Sequence, residues 1–399
     1  MIRFGFAGQQ FETERMIGDR RGLSGGPTLV FVAGIHGNEP SGVIALQRVF
    51  QDLDRREVSM QGRLLGLVGN LEALAQHRRY LSRDLNRIWD QDFSRQYYNA
   101  TQRLPGLPEE FREATEIFDV IEPLLKRYSQ SLGDPANHSK LYFVDLHTTS
   151  APTVPFIAIN DQLDNRNFAL QFPVPTVLGI EEYLQGPLLS YLNDFGPVAM
   201  AFEAGQHDDP KSIDVHVAFI YLAMLAAGIV RAEQIPDLVQ HRRLLKECGG
   251  EQQGIVEVVY RRGLALDDEF VMEPGFTNFH PIQKGDLLAQ DRRGPIRADR
   301  AGQIFMPLYQ AVGEDGFFIV RKVPRWALLL SSLLRRVNFE TILTLLPGIS
   351  RSHVQSEALV VDRRIARFLA VELFHLLGYR RKRDDGNVMI VSRREIQRS

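Results

Sequence analysis

The chain has 399 residues, 44% hydrophobic and 24% charged, with a formal net charge of −2. That length allows two or three domains with a substantial core, and the balanced charge excludes a polyanion-binding protein on overall composition. The single cysteine, Cys248, excludes an intrachain disulfide, so any metal site must be built from His, Asp and Glu.

The N-terminal ten residues lack the basic start and apolar core of a signal peptide. Residues 28–33 read as a buried strand and 41–51 as a helix. Residues 63–68 read as a strand and 71–77 as a short helix. Residues 98–108, with Pro105, Gly106 and Pro108, read as a loop. In 109–128, Phe111, Ile117, Phe118, Ile121, Leu124 and Leu125 fall at helical spacing. Strands are expected at 141–146, 156–159, 176–180 and 198–202. The apolar run 215–230 contains His216 and is short for a membrane span of ~20 residues, so it reads as a buried helix. The expectation is a cytoplasmic protein without a membrane partner. Such strand–helix alternation predicts a mainly parallel sheet covered on both faces.

The pattern changes after Glu247-Cys248-Gly249-Gly250. Residues 254–323 hold short β-type runs broken by turn signals, which predicts a small antiparallel sheet or barrel. A third segment begins near Pro324. An apolar stripe over 354–377, through Val361, Ile365, Phe368, Leu369, Phe374 and Leu376, predicts helix. This segment has a net charge of +7, against −9 for the residues before it. A solvated basic face docked on the acidic body explains that asymmetry. No aromatic interleaving supports nucleic-acid binding. The expected division is 1–248, 249–323 and 324–399.

The chemistry-bearing residues sit where predicted strands end. His36 and Glu39, in Gly34-Ile35-His36-Gly37-Asn38-Glu39, lie between a strand and a helix, at the carboxyl end where open α/β sheets build their sites. Imidazole nitrogen and carboxylate oxygen both ligate zinc. Alone, this spacing equally describes a loop histidine and a capping glutamate. His147 ends the next apolar run, with Asp145 two residues earlier on the same side of the strand, placed to orient an imidazole. Glu203 follows a further apolar run, where a carboxylate is costly unless paired or functional. Arg79, Asn86 and Arg87 fall within a ten-residue stretch that offers donors to a carboxylate or an oxyanion, though an exposed basic loop is the commoner fate of such a run.

Taken together, His36-Gly37-Asn38-Glu39, Gly69-Asn70, Arg79-Tyr80, Asp84-Leu85-Asn86-Arg87, Asp145-Leu146-His147 and Phe202-Glu203-Ala204-Gly205 resemble the succinylglutamate desuccinylase/aspartoacylase family in order and rough spacing. That family is related to the zinc carboxypeptidases. The resemblance implies an α/β fold with a mixed, mainly parallel sheet flanked by helices, a small β-rich second domain over the site, and here a helical C-terminal extension. It implies one zinc ion per chain held by His36, Glu39 and His147. Glu203 would be the general base, Arg79 the carbonyl polariser, and Asn86 and Arg87 the carboxylate binders. Tyr309 would reach the substrate from the second domain. This chain departs from the family pattern at Leu71, where proline is frequent. It also has no Lys or Arg between Asn167 and Glu203, where an acidic substrate would call for another cation.

The expected function is zinc-dependent deacylation of a small N-acyl amino acid or related carboxylate-bearing amide, by a chain that works alone or as a homo-oligomer. A zinc carboxypeptidase would need the same site with a longer cleft. A non-enzymatic binding protein on the same fold would tolerate a decayed site, whereas all the ligands and the base are present. Of the other histidines, His207 is a candidate for the pocket wall. His77, His138, His216 and His375 read as surface or core residues.

Overall fold

The computed structural model describes residues 1–99, 108–132, 139–265, 267–310, 313–336, 343–345, 347–351, 358–362, 364, 374, 376–384 and 388–393. A hairpin of β1 (Ile2–Phe6) and β2 (Gln9–Thr13) precedes β3 (Met16–Arg21) and β4 (Leu23–Ala33). Then come α1 (Ser41–Arg55), β5 (Gln61–Val68), α2 (Leu71–Ala75), α3 (Gln91–Asn99), α4 (Glu109–Ser131) and β6 (Leu141–Thr149). β7 (Phe156–Ile159), α5 (Leu163–Ala169), β8 (Thr176–Leu178), α6 (Leu188–Asn193), β9 (Val198–Gln206), α7 (Lys211–Ala227) and α8 (Leu238–Gly249) follow. Every strand and helix expected before residue 231 is present, with shifted ends. Most of the expected loop at 98–108 lies outside the described residues, and Tyr98 and Asn99 close α3.

An eleven-stranded mixed sheet organises the molecule, and its middle runs β8-β7-β9-β6-β4-β5-β3. β5, β4, β6 and β9 are parallel neighbours. Both faces are covered, and β4 shows how. Leu29, Phe31 and Ala33 point into one apolar cluster with residues of α1 and α7; Val30 and Val32 point into another with residues of α4. Burial on both sides explains why this strand is a continuous apolar run. His216, on α7, is wholly buried beside Phe202 and pushed down to about 3 by that burial. It is a neutral core residue, as expected.

The β-rich region comprises β10 (Ile255–Gly263), β11 (Val271–Met272), β12 (Pro281–Ile282), β13 (Leu287–Asp291), β14 (Gly294–Arg297), β15 (Gly302–Phe305) and β16 (Asp315–Lys322). Its strands are not a separate barrel. β10 pairs in parallel with β8, so β10, β16, β15 and β12 extend the main sheet. β11, β13 and β14 form a small sheet of their own.

Beyond it lie α9 (Arg325–Arg336), β17 (Ile349–Arg351), β18 (Ala358–Asp362), β19 (Tyr379–Asp384) and β20 (Val388–Arg393). The last four form an antiparallel sheet. The helix expected over 354–377 is therefore corrected where the structure describes it. Residues 358–362 are a strand between β17 and β20, with Leu359 and Val361 facing Met389 and Val391. The β-branched pair Val360-Val361 suits a pleated surface. Ile365, Phe368, Leu369 and His375 of that expectation, like His138, lie outside the described residues. Among the described residues no helix is long and apolar enough to cross a membrane.

Candidate active site

Strand register assembles the site. β4 and β6 pair Ala33 with Leu146, and β6 and β9 pair His147 with Glu203. Parallel alignment thus brings the segment after β4, the end of β6 and the end of β9 to one edge of the sheet, the carboxyl edge. After Ala33 the chain turns through Gly34, at φ 69°. It then runs so close to α2 that a Cβ on Gly37 would lie 2.1 Å from the Ala73 carbonyl carbon. Only glycine fits there, and that approach sets His36 and Glu39 at the mouth of α1.

His36, Glu39 and His147 are all buried, and one ligand atom from each lies within 4.8 Å of the others. His36 Nδ1 is 2.8 Å from one Glu39 oxygen, and His147 Nδ1 is 2.9 Å from the other. The far nitrogens face carboxylates: His36 Nε2 lies 3.1 Å from Asp84 and His147 Nε2 2.7 Å from Asp145. Each outer carboxylate fixes the ring and leaves the Nδ1 lone pair turned inward, which is how metal-ligating histidines are held. The donor set fits a dication with nitrogen and oxygen ligands, zinc above all.

The site's charges are strongly shifted. Burial alone would raise the Glu39 carboxyl, but His36 and His147 hold it well below the usual carboxylate range. Asp84 is likewise held low against burial, by His36 and Arg79. Glu203 goes the other way: burial, reinforced by Glu39 and Asp145, pushes it up to about 8. Its Oε2 is buried and makes no hydrogen bond among the described residues. A buried carboxylate with a free oxygen beside a ligand triangle is poised to exchange a proton.

Arg79 donates to Asp84 at 3.0 Å and lies 3.8 Å from Glu39. Its buried Nε has no hydrogen-bond partner among the described residues. The loop that carries it is held by Glu110, in the first turn of α4, which accepts from the N–H groups of Leu81, Ser82 and Arg83 and from the Ser82 hydroxyl. Asn86 and Arg87 line the same cavity, of about 140 Å³, as His36, Glu39, Arg79, His147 and Glu203. Asn86 accepts the Leu188 N–H at 2.9 Å, and Arg87 is ion-paired to Asp315, 3.3 Å away.

Tyr309 is not brought to the cavity. Its hydroxyl donates to the Glu273 carbonyl and accepts the Phe276 N–H, which holds the ring within the β-rich region. Its neighbours Leu308 and Gln310 line the cavity instead. The expected segment reaches the site through Met306, Pro307, Leu308 and Gln310, but the Tyr309 hydroxyl is held by Glu273 and Phe276.

Several residues at or beside the cavity have no ligand or catalytic role in the sequence-based assignment. His207 lies against the Thr148 hydroxyl at 2.8 Å, and burial lowers its affinity for a proton. Asp84 is the partner of both His36 and Arg79. Its place inside Asp84-Leu85-Asn86-Arg87 was the available signal. Glu314 and Asp315 reach the cavity from the β-rich region, and nothing local in the sequence marks them.

Residues 25–209 match the model of the succinylglutamate desuccinylase/aspartoacylase catalytic domain. Succinylglutamate desuccinylase from Pseudomonas fluorescens is 31% identical over 123 residues, covering 31% of either chain. The enzyme of that name from Photorhabdus laumondii is 32% identical over 124 residues, covering 31% of this chain and 34% of its own. The aligned stretches thus span about a third of these relatives. The structure of succinylglutamate desuccinylase from Vibrio parahaemolyticus superposes with a TM-score of 0.51 at 17% identity, over 76% of this chain and 83% of the other. A succinylglutamate desuccinylase/aspartoacylase from Rhodobacter sphaeroides also gives 0.51 at 17% identity, over 77% and 88%. The matched segment, residues 25–209, contains all the ordered motifs that resemble the succinylglutamate desuccinylase/aspartoacylase family, and the fold is shared with solved structures of that name.

Proposed function

We propose that this protein is a zinc-dependent amidohydrolase that deacylates a small N-acyl amino acid or a related amide. The observation that carries this reading is the buried His36–Glu39–His147 triangle beside the unpartnered oxygen of Glu203, in one cavity. Zinc bound by the three residues would supply an acidified water and polarise the scissile carbonyl. Glu203 takes a proton at Oε2 from the attacking water and returns it to the leaving nitrogen. Arg79 offers its Nε–H to the developing oxyanion, the kind of contact whose loss costs roughly 100- to 1000-fold elsewhere. Asp84 and Asp145 keep the two imidazoles turned and in the right tautomer.

The cavity's size favours a small substrate. An engineered cavity of ~150 Å³ holds one benzene, and here about 140 Å³ is enclosed partly by Met306, Pro307 and Leu308 of the β-rich region. That region acts as a cap, which counts against a peptide-length cleft and so against a carboxypeptidase.

Metal analysis and a substrate panel test the proposal. Purified protein should carry close to one zinc per chain, lost in His36→Ala and His147→Ala. Glu203→Gln should keep the zinc and turn over N-acyl amines at least ~100-fold more slowly. Native zinc affinity in the doubly substituted His36→Ala/His147→Ala chain would sink the ligand assignment. Near-normal turnover in Glu203→Gln would remove Glu203 as the base.

A further inference from the structure

Arg87 would be the natural anchor for a substrate carboxylate, because a planar guanidinium binds one through two parallel N–H donors. In this chain two of its nitrogens already donate within the chain, and its buried Nε makes no hydrogen bond among the described residues. Nη1 donates to the Asn86 carbonyl at 2.9 Å, and Nη2 to Asp315 Oδ2 at 3.3 Å. Nε faces Glu314 Oε2 at 3.6 Å. The Nε–Nη2 edge, which would grip a carboxylate, therefore points at two carboxylates of the chain itself.

The pair is sheltered and rigidly supported. The Arg87 and Asp315 side chains are only 14% and 13% exposed. The other Asp315 oxygen accepts from Arg261 Nε, and both residues lie in adjacent, paired strands of the main sheet. Arg87 and Arg261 balance Asp315 and Glu314, so the corner offers an incoming anion no net charge. The lining surface of the cavity as a whole is mostly apolar, with Phe156, Leu184, Leu189 and Phe318 among its side chains, beside polar groups such as Asn160 and Ser190. A free carboxylate entering here would be desolvated among apolar side chains and would have to displace Asp315 from a position it holds intramolecularly.

We propose that Asp315 is a specificity-determining residue: it occupies Arg87 as a built-in carboxylate, so that the site selects N-acylated amines carrying no free carboxylate at this corner over the corresponding free acids. This rests on the deacylase reading for its substrates, but the pairing it invokes does not depend on that reading.

The test uses zinc-loaded full-length protein and two probe pairs. Turnover is compared for N-acetyl-L-methionine and N-acetyl-L-methioninamide, and binding, by calorimetry, for L-methionine and L-methioninamide. The wild type should favour the amide of each pair by about tenfold or more, the scale of one charge-assisted contact. Asp315→Asn should shift the ratio toward the acid by a similar factor, through a gain for the acid alone. Arg87→Met added to Asp315→Asn should abolish the gain. Arg87→Met combined with Glu314→Gln keeps Asp315 paired with Arg261 and the corner neutral, and should leave acid binding unchanged. It serves as the deciding variant if Asp315→Asn does not fold. A wild type that favours the acids, or tenfold weaker acid binding in Arg87→Met/Glu314→Gln, would overturn the proposal. So would an Asp315→Asn effect equal on both members of a pair. If neither acetyl compound is hydrolysed while the binding pair still shows the Asp315-dependent ratio, the deacylase reading fails and the role of Asp315 stands.

Discussion

At the scale of single residues, the proposed metal site stores protons that a bound dication would displace. Burial alone would drive the proton off His147, but Asp145 and Glu39 overrule it and hold that proton well above the usual histidine range. Glu203, raised to about 8, also holds a proton at neutral pH in the metal-free protein. A dication at His36, Glu39 and His147 needs the His147 lone pair and favours the charged form of Glu203. Metal uptake should therefore release about one to two protons near pH 7. Apparent zinc affinity should rise with pH, by about tenfold or more per unit while a proton is being displaced. Titration calorimetry in buffers of different ionisation enthalpy reads the proton count directly. Uptake with no proton released would show that His147 is neutral before the metal arrives. The same experiment on Glu203→Gln should count fewer protons, which separates the two contributions.

At the scale of elements, the decisive connection is between α4 and the loop before it in sequence. Glu110 looks like an ordinary acidic residue in the first turn of a helix. In the fold it gathers three backbone N–H groups and a hydroxyl from the loop that carries Arg79. Glu110→Ala leaves those donors without their acceptor and should cost about 1–3 kcal/mol of stability, measured by urea denaturation, with a larger fall in kcat than Glu109→Ala. The pH dependence has a defined sign. Burial would raise the Glu110 carboxyl, but Ser82 and the backbone donors hold it below the usual glutamate range. Its contribution is therefore present above the ordinary glutamate pKa and fades as pH falls through its lowered value in the folded protein. The Glu110→Gln protein should show a flatter stability profile on the acid side of pH 5. An unchanged profile would mean that the loop is held by other contacts.

At the scale of the whole molecule, the C-terminal segment is joined to the pocket. The α9 residues Trp326, Leu329 and Leu333 are largely exposed, whereas Ser331 and Arg335 are buried. The Arg335 side chain, wholly buried, pairs with Asp161 at 2.7 Å and also donates to the Asp161 carbonyl. Asp161 donates its N–H to Glu181 and follows Asn160, and both of those residues line the cavity. The extension therefore braces the cavity wall, although it supplies none of the proposed catalytic groups. Arg335→Met should destabilise the protein by about 3 kcal/mol, near the lower end for a broken buried pair, because Arg166 still faces Asp161. A truncation after Pro324 should raise KM more than it lowers kcat in whatever remains folded. Unchanged KM in the folded truncation would show that α9 acts on stability alone.

The sheet that the sequence predicts as mainly parallel is mixed, with β3 and β7 antiparallel to neighbours. The sequence by itself marked His36, Glu39 and His147 as metal-ligand candidates and determined the order of the strands and helices up to residue 230. Those features are written locally: apolar runs end in turn glycines, and the chemical residues follow them directly, as His36 and His147 do. The tertiary structure alone decided which neighbours those residues keep. Asp84 on His36, Glu110 on the Arg79 loop and Arg335 on Asp161 are contacts across 48, 27 to 29 and 174 positions, beyond any helical or strand period. The same holds for β18, whose five residues sit inside a stretch with helical spacing until β17 and β20 pair with it. Arg87 shows the difference most clearly. The family resemblance implies a carboxylate binder there, and only folding of the β-rich region against it brings in Asp315, 228 residues away, as its ion-pair partner.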